Sequence, residues 1–152
     1  MAHFHKNKEE LCPTCGKDFY LDPKLAVAGI IPYKDKIIMV KRAIEPGIGK
    51  WSFPSGYVNR YESLESALKR EVKEECNIDI EVGWIVGIYS EKNNPVVLAV
   101  FHTEWVEGDL NSNDQETLDV DMFKVTKLPD LAFEHDSKII KDWEYGLKLR
   151  FH

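Results

Sequence analysis

Hydrophobic positions along the chain fall into short runs and longer periodic stretches, which predict strands and helices respectively. Apolar, β-branched runs at residues 25–33 and 37–40 are separated by a polar turn, a pattern that indicates two antiparallel strands. Further strands are predicted at residues 80–89, 96–105 and 119–125, where β-branched and aromatic residues gather between turn-forming residues. These strands are expected to form a mixed sheet.

Two stretches have the spacing of amphipathic helices. Residues 64–76 form the clearer one, and residues 137–149 form the second. Helices interspersed with strands predict a layered α/β domain. The apolar stripe of the second helix is expected to pack on the sheet, and it consists of Ile139, Ile140, Trp143 and Leu147.

The first helix carries acidic residues where packing alone would not place them. On a helical wheel, Glu71 and Glu75 fall within the apolar stripe, and Glu74 lies just beside it. Carboxylates four residues apart on a helix repel one another, and the edge of an apolar face makes their charges harder to solvate. One guanidinium, that of Arg70, cannot balance these carboxylates, whereas divalent cations that prefer oxygen ligands can. A solvated acidic face is the alternative interpretation.

The loop ahead of this helix extends the pattern. Gly56 is followed at fixed spacing by Glu62 and by residues 70–78, which read Arg-Glu-Val-Lys-Glu-Glu-Cys-Asn-Ile. Ser63 is the predicted N-cap of the helix. The series resembles the Nudix box of the Nudix hydrolase superfamily, G-x5-E-x7-R-E-U-x-E-E-x-G-U, where U is a bulky aliphatic residue. Every defining position matches except Asn77.

At three positions this chain has another residue where members of the family commonly have glycine. Asn77 replaces the last glycine of the box, and since asparagine tolerates the left-handed conformation, the helix can still end there. The other two departures are Ser55 and Tyr61 in the loop. All acidic positions of the box are present. A non-catalytic nucleotide sensor is nevertheless an alternative to an enzyme, and an adaptor without a ligand is a third hypothesis.

The resemblance implies an α/β/α sandwich that hydrolyses a nucleoside diphosphate linked to another moiety, using Mg²⁺ or Mn²⁺. It implies that Glu74 and Glu75 are metal ligands and that Glu71 is a further ligand or the general base. Arg70 would orient the glutamates through an ion pair, and Gly56 would offer its carbonyl oxygen to a metal ion. This chemistry suits a polyanionic pyrophosphate, whose hydrolysis requires charge neutralisation and an activated water molecule.

Residues outside the acidic helix complete the predicted site. Glu116 is a candidate ligand or base, because some Nudix enzymes take a carboxylate from a later loop. Arg42 is a candidate for contact with phosphate oxygens, and Trp51 and Tyr57 are candidates for stacking on a base or ribose. A structural or solvated role is the alternative for each of these residues. Glu62 is expected to brace the corner between the loop and the helix.

A Cys-x-x-Cys pair precedes the main domain. Residues 1–23, which contain Cys12 and Cys15, resemble a truncated zinc ribbon, and residues 24–152 would form the Nudix domain. Structural zinc takes four ligands, so a nearby His-x-His pair or a second subunit would have to complete a Zn²⁺ site. The alternative is a vestigial knuckle with reduced thiols.

The wider sequence resembles zinc-ribbon-linked Nudix pyrophosphatases, which act on dinucleotides such as ADP-ribose, NADH or FAD. The segments that carry this resemblance are residues 12–16, 22–24, 41–47 and 128–133. NADH pyrophosphatases have the signature Ser-Gln-Pro-Trp-Pro-Phe-Pro after the box, and residues 87–95 differ from it. The predicted substrate is therefore ADP-ribose, FAD or a similar dinucleotide, and a nucleoside triphosphate is the alternative.

Composition and charge narrow the classes of protein further. The 152 residues carry a formal net charge of −6, which disfavours binding to nucleic-acid backbones and anionic membranes. The longest stretch without a charged side chain, residues 93–103, is too short to cross a bilayer, and the first residues lack an apolar signal segment. We therefore expect a cytoplasmic protein that binds a small nucleotide and, by family analogy, forms a homodimer.

Overall fold

Eight strands and two helices make up the part of the chain that the computed structural model describes, which comprises residues 13–16, 23–112 and 115–151. Both helices coincide closely with those predicted. In chain order the elements are β1 (Lys24–Ile30), β2 (Pro32–Tyr33), β3 (Lys36–Arg42), β4 (Trp51–Ser52), β5 (Ser55–Tyr57), α1 (Leu64–Cys76), β6 (Ile78–Ser90), β7 (Val96–Gly108), β8 (Thr117–Lys124) and α2 (Asp136–Arg150).

The strands form two sheets of four strands each. The first sheet has the order β5-β1-β7-β6, in which β1 runs parallel to β7 and antiparallel to β5. In the second sheet, β3 pairs antiparallel with β2, β4 and β8. The first sheet is mixed, as predicted, but β3 and β8, which were expected in the same sheet, belong to the second, antiparallel one.

The side chains of β3 show how the sheets are layered between the helices. Ile38 and Val40 pack in the cluster that contains the apolar face of α1, whereas Ile37 and Met39 pack in the cluster that contains the apolar face of α2. Successive side chains of a strand point to opposite faces, so a continuously apolar strand needs cover on both sides. The predicted α/β/α sandwich is confirmed.

The ends of α1 follow from its capping residues. The backbone N–H of Ser66 donates to the hydroxyl oxygen of Ser63 over 3.1 Å, so Ser63 is the N-cap as predicted. Asn77 closes the helix in the left-handed conformation, with φ of 62°. Cys76, just before it, is fully buried, and burial raises the pKa of its thiol.

The predicted hairpin is wrong for most of its first strand. Only β2 pairs with β3, while β1 pairs with β5 and β7 in the other sheet. The chain passes from one sheet to the other at Ile31, which is fully buried. An apolar run that continues through such a crossing does not reveal where the strand changes partners. The short strands β4 and β5 also lie in a stretch that the sequence predicts as a loop.

The predicted zinc ligands fall largely outside the described residues. Cys15 is exposed and its thiol is free, whereas Cys12 and the His-x-His pair lie outside the described ranges. Within those ranges no zinc site is seen. The helices of the described chain also lack the combination of length and apolar composition that crossing a membrane requires. The boundary after residue 23 stays a prediction.

Candidate active site

The acidic residues of α1 lie against the extended backbone of β5. The Glu75 carboxylate accepts a hydrogen bond from the backbone N–H of Ser55 over 3.1 Å. Gly56 lies so close to Glu71 that a Cβ atom at this position would overlap the carboxylate. The strand is held in turn by its antiparallel pairing with β1. Consecutive residues of β5 therefore contact carboxylates one helical turn apart.

Arg70 joins the loop to the helix. Its Nε and Nη2 atoms donate to the two carboxylate oxygens of Glu62, each over 2.9 Å, and Nη1 donates to Glu71 over 2.6 Å. A further bond of 3.0 Å runs from Nη2 to the carbonyl oxygen of Tyr57. Hydrogen bonds from Arg70 and from the Asn59 backbone lower the pKa of Glu62 to about 2. The guanidinium is thereby fixed between two carboxylates.

Burial differs among the three carboxylates of α1 that the sequence assigns to metal. Glu75 is 7% exposed, the Glu71 side chain is 14% exposed and the Glu74 side chain is 52% exposed. Burial raises the pKa of Glu71 against the lowering effect of Arg70, and the charges of Glu74 and Glu116 raise it further. This crowding of partly desolvated negative charge favours a cation.

The donor set suits a hard divalent metal ion. Carboxylate and carbonyl oxygens are the ligands that Mg²⁺ and Mn²⁺ prefer. Because Gly56 has no side chain, its backbone stays beside the Glu71 carboxylate. Among the residues that the structure describes, no group of three or more His, Cys, Asp or Glu side chains is already arranged to hold a metal ion.

Two of the three departures from the family pattern occupy left-handed backbone positions. Tyr61 has φ of 71° and Asn77 has φ of 62°, whereas Ser55 lies within β5 and has no positive φ. The Asn77 side chain donates to the carbonyl oxygen of Asp109 over 3.0 Å, while Tyr61 is 98% exposed. Glycine would adopt both conformations without strain, so these substitutions alter local backbone energy and leave the carboxylates in place.

A cavity of about 1050 Å³ extends from the acidic cluster of α1 to the start of α2. Its walls come from both sheets and from the segment before α2. The residues that line it include Ala28, Val40, Arg42, Ser52, Phe53, Gly56, Tyr57, Glu71, Glu74, Glu75, Leu98, Glu116, Phe133, His135 and Asp136.

Three of the four predicted residues outside the acidic helix line this cavity. Tyr57 is about half exposed, and Glu116 lies close enough to Glu71 to affect its pKa. The Arg42 side chain donates from Nε to the carbonyl oxygen of Pro46 over 2.6 Å. Its guanidinium also lies over the ring of Phe133, with 5.1 Å from Cζ to the ring centroid. The structure thus brings these side chains to the same cavity as the carboxylates.

Trp51 is the predicted substrate residue that does not line the cavity. Its ring packs edge-on against Phe123, with the ring centroids 4.7 Å apart. Adjacent residues of a strand face opposite sides, and the cavity side is taken by Ser52. The structure therefore places Trp51 outside this cavity, and its stacking on a base or ribose stays a prediction.

Sequence reasoning missed the polar residues at the α2 end of the cavity. Asp136 is 1% exposed, and burial raises its pKa to about 7 against the lowering effects of the Phe133 N–H and Arg42. In sequence this residue resembles an ordinary acidic residue at the start of a helix. The sequence did not indicate Ser52 either, because the burial of this residue depends on contacts between segments that are distant in the chain.

A family model of the NUDIX domain matches residues 23–143. The chain therefore belongs to the Nudix family, and it is a Nudix hydrolase. An ADP-ribose pyrophosphatase from Methanocaldococcus jannaschii is 37% identical over 134 residues, which cover 84% of this chain and 78% of that protein. The NAD-capped RNA hydrolase NudC of Stutzerimonas stutzeri is 28% identical over 123 residues, which cover 79% of this chain and 43% of that protein.

Solved structures show the same relationship. A Nudix hydrolase from Nitrosomonas europaea matches with a TM-score of 0.83 and 29% identity, over 92% of this chain and 80% of that chain. An ADP-ribose pyrophosphatase from Streptococcus suis matches with a TM-score of 0.69 and 29% identity, over 82% of this chain and 92% of that chain.

Proposed function

We propose that this protein hydrolyses the pyrophosphate bond of a nucleoside diphosphate linked to another moiety, such as ADP-ribose or FAD, with Mg²⁺ or Mn²⁺. The observation that carries the proposal is the carboxylate cluster of α1, fixed by Arg70 and β5 at one end of a cavity of about 1050 Å³. A cavity of this volume is large enough for a dinucleotide. The two relatives named ADP-ribose pyrophosphatase support the same class of substrate.

Four residues would hold the metal ion. Glu74 and Glu75 are the first ligands, Glu71 is a further ligand or the general base, and Gly56 contributes its carbonyl oxygen. A bound Mg²⁺ or Mn²⁺ ion neutralises the charge on the phosphates and lowers the pKa of the attacking water molecule. The exposed Glu74 is the carboxylate that reorients most easily, since its side chain is 52% exposed.

The reaction exchanges one bond to phosphorus for another. The water oxygen bonds to a phosphorus atom of the anhydride while the bridging P–O bond breaks, and the water proton passes to a carboxylate. With ADP-ribose the products are AMP and ribose 5-phosphate. Glu71 and Glu116 are the candidates to accept the proton, because both line the cavity and burial raises the pKa of Glu71.

Two arginines have different proposed roles. Arg70 is a positioning residue, since it contacts Glu62 and Glu71 through three hydrogen bonds. Arg42 would bind phosphate oxygens, and the exposed ring of Tyr57 would pack on the base or ribose.

A substrate panel with a matched pair of variants tests the proposal. Purified protein is incubated with Mg²⁺ or Mn²⁺ and ADP-ribose, FAD, NADH, a dinucleoside polyphosphate or nucleoside triphosphates, and the phosphorylated products are identified. We expect AMP from at least one dinucleotide. Glu75→Gln should lower kcat at least about 100-fold. Glu65→Gln removes the same charge from an exposed position of α1 and should leave kcat within about twofold.

Other results would replace the proposal with a named alternative. Turnover of nucleoside triphosphates alone would make the protein a triphosphate pyrophosphatase. Nucleotide binding without metal-dependent, Glu75-dependent turnover would make it a sensor.

A further inference from the structure

The α2 end of the cavity contains a buried hydroxyl group without a partner. Ser52 is 2% exposed, and among the described residues its Oγ atom has no hydrogen-bond partner. The side chain lines the cavity. An unpaired buried hydroxyl lowers the stability of a folded protein, so its presence at a cavity wall points to a ligand that pairs with it.

A buried carboxyl group lies in the same corner. The Ala132 N–H donates to the carbonyl oxygen of Trp51 over 2.8 Å, which places the segment before α2 alongside β4. The next residue, Phe133, donates its N–H to Oδ2 of Asp136 over 3.2 Å. Asp136 is 1% exposed and lines the same cavity as Ser52. The backbone pairing therefore brings together the segments that carry these two groups, and both side chains line the cavity.

The Asp136 carboxyl group keeps one oxygen for a ligand. Oδ2 is used by the Phe133 N–H, whereas Oδ1 lies 3.6 Å from Nε2 of His135, too far for a hydrogen bond. Burial lowers the pKa of His135, which favours its neutral form. The corner thus presents one carboxyl oxygen and one hydroxyl group.

The surroundings of these two groups favour a flat, weakly polar ligand. The walls of the cavity that they line include apolar side chains from both sheets. A polyol such as ribose needs a hydrogen-bond partner for each hydroxyl group, whereas a nucleobase has two apolar faces and polar atoms only at its edge. The apolar lining residues are Ala28, Val40, Phe53, Leu98 and Phe133.

We propose that Ser52 and Asp136 bind the edge of the substrate's nucleobase and select an amino-substituted base of the adenine type. Oδ1 of Asp136 accepts a hydrogen bond from the exocyclic amino group, and the Ser52 hydroxyl donates to the adjacent ring nitrogen. Hypoxanthine presents a carbonyl oxygen to Oδ1 in place of the amino group and is disfavoured at that contact, whereas the Ser52 hydroxyl can either donate or accept. The inference rests on the proposed function only in requiring that the substrate is a nucleotide.

Binding of nucleoside monophosphates tests the inference, because these compounds contain no pyrophosphate bond to cleave. Calorimetric titration with Mg²⁺ at pH 8, above the Asp136 pKa of about 7, compares AMP, IMP, purine riboside monophosphate and ribose 5-phosphate. We expect AMP to bind at least about tenfold more tightly than purine riboside monophosphate, which lacks the amino group, and than IMP. Ser52→Ala should weaken the binding of AMP, IMP and purine riboside monophosphate by about fivefold each and leave ribose 5-phosphate unchanged, because each of the three bases presents a ring nitrogen to the hydroxyl.

The substitution Asp136→Asn should reverse the preference for AMP over IMP. The amide oxygen of asparagine can accept from the Phe133 N–H, which leaves its NH₂ group facing the ligand. This variant should lose the preference for AMP and bind IMP at least as tightly, because hypoxanthine presents an oxygen to the new donor.

Thermal unfolding separates a ligand-binding hydroxyl from a structural one. Without nucleotide, Ser52→Ala should raise the Tm, because it removes an unpaired buried group. The matched control is Thr103→Val, which removes a fully buried hydroxyl that donates to the Ile30 carbonyl oxygen over 3.1 Å and should lower the Tm. A drop in Tm for Ser52→Ala like that of the control would overturn the inference.

The outcomes also separate this inference from the proposed function. Equal binding of AMP and purine riboside monophosphate, or tighter binding of IMP by the unmodified protein, would overturn the inference even if dinucleotides are hydrolysed. Selective binding of AMP without any metal-dependent hydrolysis would support the inference and contradict the proposed function.

Discussion

The two ends of the cavity differ in how their polar groups are paired. At the α1 end, carboxylates are tied to the protein itself, through Arg70 and the Ser55 N–H. At the α2 end, Ser52 has a hydroxyl without a partner in the described chain and Asp136 has a carboxyl oxygen without a hydrogen bond. The first arrangement fixes the position of charged groups before a ligand arrives, whereas the second keeps hydrogen bonds for the ligand to complete.

The difference has an origin in the sequence. The acidic end draws most of its residues from one loop and one helix, which are adjacent in the chain. The other end combines β4 with the segment before α2, which are separated by most of the domain. Four substitutions test whether the two ends behave as differently as this arrangement implies.

Gly56→Ala should have the largest effect, at the acidic end. The added methyl group would overlap the Glu71 carboxylate and displace it. We expect kcat to fall about 100-fold or more, since displacements near 1 Å at a reacting centre have effects of that size. Gly49→Ala is the control for backbone strain, because its φ is +80° but a methyl group there meets nothing within 4 Å. This control should lower the Tm and keep kcat, and unchanged kcat in Gly56→Ala would contradict the assigned site.

Asp136→Asn should change how stability depends on pH. In the folded protein burial raises the Asp136 pKa from 3.8 to about 7, because the protonated carboxyl group is the form that is buried at lower cost. The contribution of Asp136 to the free energy of unfolding is therefore most favourable at low pH and is lost as pH rises toward 7. Relative to the unmodified protein, the variant should gain about 3 kcal/mol of unfolding free energy between pH 5 and pH 8. Urea unfolding at both pH values measures this difference. A difference that is the same at both pH values would show that Asp136 ionises normally.

Arg70→Lys should weaken the fixed arrangement of the acidic end. Lysine carries a compact charge and cannot bond to both Glu62 oxygens and to Glu71 together. We expect kcat to fall about tenfold with little change in KM, together with a rise in the Glu62 pKa measured by NMR titration. A normal kcat despite a raised Glu62 pKa would limit Arg70 to a structural role.

Tyr61→Gly should give the smallest effect, away from both ends. Tyr61 is 98% exposed and has φ of 71°, so glycine relieves strain and loses few contacts. We expect unfolding free energy to rise by about 1 kcal/mol. Asn77→Gly should gain less, because asparagine tolerates φ of 62° and bonds to Asp109. Denaturant unfolding of both variants checks the order, and a larger gain at Asn77 would contradict it.

The sequence predicted the acidic end well, because helical periodicity places side chains on a known face. Glu75 and Glu71 are more buried than Glu74, as the wheel indicated. The other end could not be predicted in this way. Ser52 belongs to a two-residue strand, too short for any periodicity, and the burial of Asp136 depends on packing that brings α2 to the sheets.

Aromatic residues and continuous apolar runs were less informative than charged ones. Trp51 lies beside the cavity residue Ser52, and only the register of the strand decides which of the two side chains faces the cavity. The run at residues 25–33 is apolar throughout because it crosses between two covered sheets. In both cases the hydrophobic pattern correctly indicated that the side chains are buried, but it did not indicate which segments they pack or pair with.

The attachment of β5 to β1 has a consequence for how long the site persists. β1 is hydrogen-bonded on both edges and contains Val27, which is fully buried, so its amide protons should exchange with solvent only when the whole domain unfolds. Gly56 pairs with Val27 in this register. The backbone that contacts the repelling carboxylates is therefore hydrogen-bonded directly to the strand that should exchange most slowly.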